Sequence, residues 1–145
     1  MLGASTLAQG AAAVTIHGPA FLIPVLHERR GLSLAEAGLA AAAPTIGVML
    51  TLVAWGALTD RRGERFVLVL GLLATAGCGL LALLADSVVM LAGALLLAGA
   101  AAASTGSASG RVVVGWFPPH RRGLAMGVRQ MAQPVGVGVA AITVA

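Results

Sequence analysis

The chain has 145 residues, of which 59% are hydrophobic and 10% charged, with nine basic residues against five acids and a formal charge of +4. So little polar surface cannot coat a soluble globule of this size, which excludes an ordinary water-soluble domain and points to a bilayer. Every basic residue is an arginine, and these fall in short clusters rather than along an exposed stripe, so no nucleic-acid partner is expected.

A crossing needs about 20 predominantly apolar residues, and five segments meet that need in chain order. The first runs from about Gly3 to Leu26, carries Gln9, Thr15 and His17, and is interrupted by His17-Gly18-Pro19 and by Pro24. No basic stretch precedes it and it is too long for the apolar part of a leader, so a cleaved signal peptide is not expected. After His27 to Ser33, the second segment runs from Leu34 to Leu58 with Pro44 inside it. The third, Phe66 to Ala85, is interrupted only by Thr75 and Cys78, and is expected to face lipid over much of its circumference. A minimal turn at Asp86-Ser87 leads to the fourth, Val88 to Val114, which holds Ser104, Thr105, Ser107, Ser109 and Arg111. On it Ala98, Gly99, Ala102, Gly106 and Gly110 form a small-residue face that invites close helix packing. The connection Gly115 to Arg122 ends at the fifth segment, Gly123 to Ala145, with Arg129, Gln130, Gln133 and Pro134. Each internal proline removes a backbone hydrogen bond that a neighbour or water must replace.

Orientation follows from the arginines. The second and fourth connections hold Arg61, Arg62, Arg65, Arg121 and Arg122, the first only Arg29 and Arg30, and the third none. The even connections are therefore expected in the cytoplasm, with the N-terminus inside and Ala145 outside. An echo of Arg29-Arg30-Gly31-Leu32 at Arg121-Arg122-Gly123-Leu124, 92 residues on, suits either a chance repeat in an alanine- and glycine-rich chain or an inverted structural repeat.

Between the second and third segments lie Gly56-Ala57-Leu58-Thr59-Asp60-Arg61-Arg62-Gly63-Glu64-Arg65, five charges and two glycines in ten residues. This run resembles the signature loop of the major facilitator superfamily (MFS) of transporters, with every defining position filled. The resemblance covers the whole chain. It implies an all-α membrane protein whose five helices form most of the N-terminal six-helix half of that fold. It further implies a multi-pass location in the plasma or inner membrane, and secondary transport of a small solute by alternating access. It also implies a role for the run itself: Gly56, Asp60, Arg61, Gly63 and Arg65 form a cytoplasmic latch between two halves. Gly56 would let another helix cross closely, Gly63 would permit a tight turn, and Asp60 would meet the positive end of the third helix and an arginine such as Arg65. Glu64 departs from the pattern, where a basic residue is common. The plainer alternative for Arg61 and Arg62 is that they set topology and anchor the interface.

The candidate solute and proton pathway is Gln9, His17, Arg111, Arg129, Gln130 and Gln133. Arg111 and Arg129 each lie about two turns from the connection between the fourth and fifth segments, so two guanidinium groups at similar depth would favour an anionic solute; snorkelling to lipid headgroups is the simpler alternative. His17 is a candidate proton carrier, and such a histidine more often only bonds a neighbouring helix. Gly127 and Gly136 have the spacing that opens a drug-antiporter signature, but Gln133 precedes Pro134 where glycine is expected and Ala140 replaces another glycine, which weakens that subclass.

No enzyme is expected. Without lysine there is no P-loop or Schiff-base lysine, and three scattered histidines with one cysteine make no metal site. No cofactor is implied. The expected partners are membrane lipid, a small-molecule solute, a proton as coupling ion, and the missing C-terminal half of the transporter, because the chain reaches only the fifth of about twelve spans. The alternative of a different class is a small membrane protein that acts as an assembly partner or dimerises into a pore.

Overall fold

The first apolar segment breaks where its prolines require it. In a computed structural model of the chain, which describes residues 2–116 and 118–144, this segment is two helices, α1 (Leu2–Phe21) and α2 (Ile23–Arg30), bent by 41° at Leu22. Pro19 still fits inside α1, and its carbonyl accepts from Leu22 N at 3.1 Å, while Pro24 occupies the first turn of α2, where its missing N–H costs nothing. The prolines further on do not break their helices. Pro44 lies within α3 (Leu34–Arg62) and Pro134 within α6 (Pro119–Val144). Between these run α4 (Glu64–Leu83) and α5 (Val88–Trp116), so the described residues are all-helical, as the sequence implied.

Helix α3 starts cleanly because Ser33 and Glu36 cap it reciprocally. Ser33 Oγ accepts from Glu36 N at 3.2 Å and Glu36 Oε2 accepts from Ser33 N at 2.9 Å. Replacing Ser33 by alanine is expected to speed amide exchange at Glu36 and Ala37 by roughly five-fold, measured by hydrogen–deuterium exchange, with the middle of α3 unchanged.

The charged run is not a loop. The expected boundary at Leu58 moves to Arg62, and the third helix begins at Glu64 rather than Phe66, so one residue, Gly63, joins them. Length and charge both explain this. A 29-residue helix is about 44 Å long, against a hydrocarbon core of about 30 Å, so its last turn reaches polar surroundings without unwinding. Arg61 and Arg62 suit the negative end of α3, and Glu64 the positive end of α4. Gly63 turns the chain at φ 82° and ψ 159°, a region open essentially to glycine alone, as its place in the motif implied.

Among the described residues three helices, Leu34–Arg62, Glu64–Leu83 and Val88–Ala108, are long and apolar enough to cross a membrane, and the bent α1–α2 pair makes a fourth. Helix α6 has the length, but Arg121, Arg122 and Arg129 make it the most polar of the long helices. The small-residue face of α5 forms the centre of the bundle. Ala98, Gly99, Ala102, Ala103 and Ser104 are buried, and α5 packs against α1, α3 and α4. The closest approach on that face is at Gly99, where a methyl group would overlap the Pro44 backbone; Gly106 has only ordinary contact, with Leu52 Cδ1 at 3.9 Å. Opposite, Gly47 lies against Leu96 and Ala100. Helix α4 buries only Val67 and Gly71 among its described residues and leaves Phe66, Val69, Leu70, Leu73, Leu80, Leu81 and Leu83 exposed, the lipid-facing pattern expected of it.

Polar side chains tie α3 to α5. Thr51 Oγ1 and Trp55 Nε1 both donate to Ala100 O, at 2.9 and 2.6 Å, and Ser107 Oγ donates to Leu52 O at 3.3 Å. Ser104 Oγ, pressed against Gly71, has no hydrogen-bond partner among the described residues. The carbonyl four residues back, which a helical serine ordinarily uses, is Ala100 O and already serves Thr51 and Trp55.

The second close pair is α1 with α6. A methyl on Gly136 would stand 2.5 Å from Gly10 O and 2.8 Å from Ala13 Cβ. The same offset of 89 residues carries Gly47 to Gly136 and Gly10 to Gly99, so the α3–α5 contact and the α6–α1 contact repeat one glycine-mediated pairing. This offset is three residues shorter than the 92 of the sequence echo at the connections.

Candidate functional site

The residues singled out from sequence as a pathway divide into two groups. Gln9 and His17 on α1 and Gln133 on α6 line one cavity of about 230 Å³, together with Thr45 and Leu52 of α3 and Thr105 of α5. Across it Gln133 Nε2 lies 3.5 Å from His17 Nε2, a long contact that joins the two helices. Three of these residues come from sequence positions 9, 17 and 133, which only the α1–α6 pairing brings together. Thr105 already stood out as a polar residue on the fourth segment. Thr45 did not, although a threonine beside a buried proline in an apolar helix is the kind of signal that marks a lining position.

Arg129 and Gln130 lie off this cavity. Arg129 is 8% exposed and its Nη2 donates to Gln130 Oε1 at 3.2 Å, which sets its guanidinium beside its own helix. The side chain of Arg111 lies outside the described residues. Arg129 is not among the described residues lining the cavity, and the polar groups of those that are consist of amide, hydroxyl and imidazole. Such groups donate and accept neutral hydrogen bonds, and none of the described lining residues is an acid.

At the end of α3 and the start of α4, Asp60, Arg61, Arg62 and Arg65 are exposed, and the Arg62 guanidinium sits 5.7 Å above the Phe66 ring of α4. Thr59 is buried one residue earlier, with its hydroxyl donating to Trp55 O at 2.7 Å and its carbonyl accepting Gly63 N at 3.0 Å. This carbonyl anchors the turn. Among the described residues, nothing stands within 4 Å of a side chain placed on Gly56. Leu52, Gly56 and Asp60 follow at four-residue steps along one stripe of α3, and Leu52 lines the cavity. The open glycine and the carboxylate thus continue the cavity-facing side of the helix to its charged end.

A sequence model of the Major Facilitator Superfamily matches residues 5–145. The chain belongs to this superfamily. Two relatives, each named an uncharacterized MFS-type transporter, come from Mycobacterium tuberculosis strains CDC 1551 / Oshkosh and H37Rv; each is 46% identical over 129 residues, 89% of this chain. The chain spans 29% of the length of either relative. Superfamily membership and the apolar helices make it a multi-pass membrane protein. The described residues lining the cavity come from α1, α3, α5 and α6, and none from α4, the helix expected to face lipid.

Proposed function

We propose that this chain supplies most of the N-terminal half of an MFS secondary transporter, and that Gln9, His17, Thr45, Thr105 and Gln133 form its share of the solute path. The observation that carries this reading is the cavity itself, in which polar residues distant in sequence converge among otherwise apolar helices. Polar groups are costly in hydrocarbon and are kept where they face protein, water or solute. In this reading His17 is the proton-bearing group, because it is the titratable side chain among the described lining residues, and Gln133 is positioned to sense its protonation across the α1–α6 interface. The solute is small, and the described lining supports recognition of its polar groups by hydrogen bonds. Gly56, Asp60, Arg61, Gly63 and Arg65 form one side of a latch that closes against the other half, and the Leu52–Gly56–Asp60 stripe is the surface it offers.

The test uses the full-length transporter that contains this chain. A panel of small polar solutes is screened for thermal stabilisation, and hits are followed by counterflow in proteoliposomes. Gln9→Leu and Gln133→Leu are each expected to weaken binding at least ten-fold, and His17→Gln to retain binding while abolishing the response of uptake to a proton gradient. Unchanged affinity in the Gln9→Leu/Gln133→Leu double variant would overturn the cavity assignment.

The proposed orientation is N-terminus in the cytoplasm of a plasma or inner membrane. With Cys78 replaced by serine, a single cysteine at Arg62 is expected to react with an impermeant maleimide only in inside-out vesicles; labelling in intact cells would reverse it.

A further inference from the structure

Helices α3 and α4 leave the one-residue turn at Gly63 and diverge, each packing on α5 more closely than on the other. Between them lies a groove of about 430 Å³, walled by Trp55 and Leu58 of α3 and by Ala74 and Cys78 of α4, over a floor of Leu97 and Ala101 from α5. It is separate from the cavity assigned to solute and shares no lining residue with it. Its surface is hydrocarbon in character because its polar groups are spent: the Thr51 hydroxyl and the Trp55 indole N–H both donate into Ala100 O.

The upper end of the groove is charged. Thr51, Trp55, Leu58 and Arg62 follow one another at steps of four, three and four residues, which places them on one face of α3. Arg62 is the exposed end of that stripe, and its guanidinium lies 5.7 Å above Phe66, on the first turn of α4, so it bridges the mouth from one wall to the other. Arg61 and Arg65 are exposed beside it. Asp60 belongs to the different stripe that passes through Leu52 and Gly56. From Thr51 to Arg62 is about 16 Å along the helix, close to the depth of one leaflet's hydrocarbon.

We propose that this groove is a specific site for an anionic phospholipid, one acyl chain lying between α3 and α4 and the phosphate held by Arg62 with help from Arg61 or Arg65. A hydrocarbon slot inside a bilayer takes an acyl chain, and a guanidinium at its mouth takes the phosphate through paired hydrogen bonds. A zwitterionic headgroup brings an ammonium to the same arginines, which lowers its affinity; a net negative headgroup gains from each nearby arginine. Free phosphate has no group to fill the groove. Occupancy would wedge α3 and α4 at their present separation directly beneath the charged turn.

Trp55 reports on this site because it forms one wall. The chain has two tryptophans, so Trp116→Phe leaves Trp55 alone. The purified chain, carrying this substitution, is placed in phosphatidylcholine bilayers, and acyl-brominated phosphatidylglycerol or acyl-brominated phosphatidylcholine is titrated in while Trp55 fluorescence is read. Brominated phosphatidylglycerol is expected to quench at about five-fold lower mole fraction. Arg62→Gln is expected to bring the two curves together, Arg62→Lys to keep part of the preference, and Ala74→Phe, which fills the groove, to weaken quenching by both lipids. Arg121→Gln, on another connection, is expected to leave the preference intact, and added inorganic phosphate is not expected to compete. Far-UV circular dichroism confirms that each variant compared retains its helicity. Equal quenching by both lipids in the parent, or a preference untouched by Arg62→Gln, overturns the proposal. Little quenching by either lipid also overturns it, and means that a protein segment rather than a lipid covers the groove.

Discussion

Gly99→Ala is expected to destabilise the bundle by about 3 kcal/mol, at the upper end of the cost of overpacking. The methyl group would overlap the carbonyl oxygen and Cα of Pro44, and both obstacles are backbone atoms that no side-chain rotation can move. Relief requires α3 and α5 to separate, and separation would stretch the hydrogen bonds from Thr51 and Trp55 to Ala100 O. Gly47→Ala strikes the same interface from the other side, through Leu96 and Ala100. The double variant should therefore cost clearly less than the sum of the single ones, since the first substitution has already parted the helices. Gly93→Ala on the same helix meets nothing within 4 Å and is expected to change stability by less than about 1 kcal/mol. Unfolding of each variant in mixed micelles with increasing dodecyl sulfate, followed by circular dichroism, measures all four. A Gly99→Ala protein as stable as the Gly93→Ala protein would show that α3 and α5 do not meet at Pro44.

The second large effect separates two glycines of the charged run. Gly63→Ala is expected to cost about 2 kcal/mol, because φ 82° with ψ 159° is a conformation that a residue with a Cβ adopts only under strain. The turn has no neighbouring loop residue to absorb that strain, since α3 ends at Arg62 and α4 begins at Glu64. Gly56→Ala, by contrast, is expected to leave stability within about 0.5 kcal/mol, since no atom of the described residues stands within 4 Å of the added methyl group. If the latch reading holds, the same Gly56→Ala change in the full-length transporter lowers transport several-fold, because the surface it alters is the one offered to the other half. Loss of stability in Gly56→Ala, or transport unaffected by it, would remove Gly56 from the latch.

Apolar run lengths made the all-α membrane class legible, and five of the six helices correspond to the five expected segments; the extra one comes from the bend at Leu22. The charged run was identified as a motif from its residues but misread as a loop. Polarity suggested a connection, whereas helix length beyond the hydrocarbon lets Asp60, Arg61 and Arg62 stay helical. Gln9, His17 and Gln133 were legible as costly polar residues, yet their convergence was not, because it depends on Gly10 and Gly136 bringing α1 against α6 across more than 100 residues of chain. Arg129 shows the converse. A charge in an apolar segment suggests a ligand site, but its hydrogen bond to the adjacent Gln130 could not be read from the sequence.

The way α3 and α4 part company also bears on assembly. Neighbours in sequence are not the principal partners in this bundle: α3 and α4 both rely on α5, and α1 relies chiefly on α6. A hairpin of α3 and α4 leaving the ribosome therefore has little to hold its two arms together except the turn at Gly63. Its hydroxyls and the Trp55 indole have no Ala100 carbonyl to meet until α5 is made. Insertion is then a waiting game, in which the early helices remain loosely associated in the translocon or bilayer until the fifth helix arrives and locks them. Stalling synthesis before and after α5 and probing protease resistance would show compaction appearing in one step rather than helix by helix.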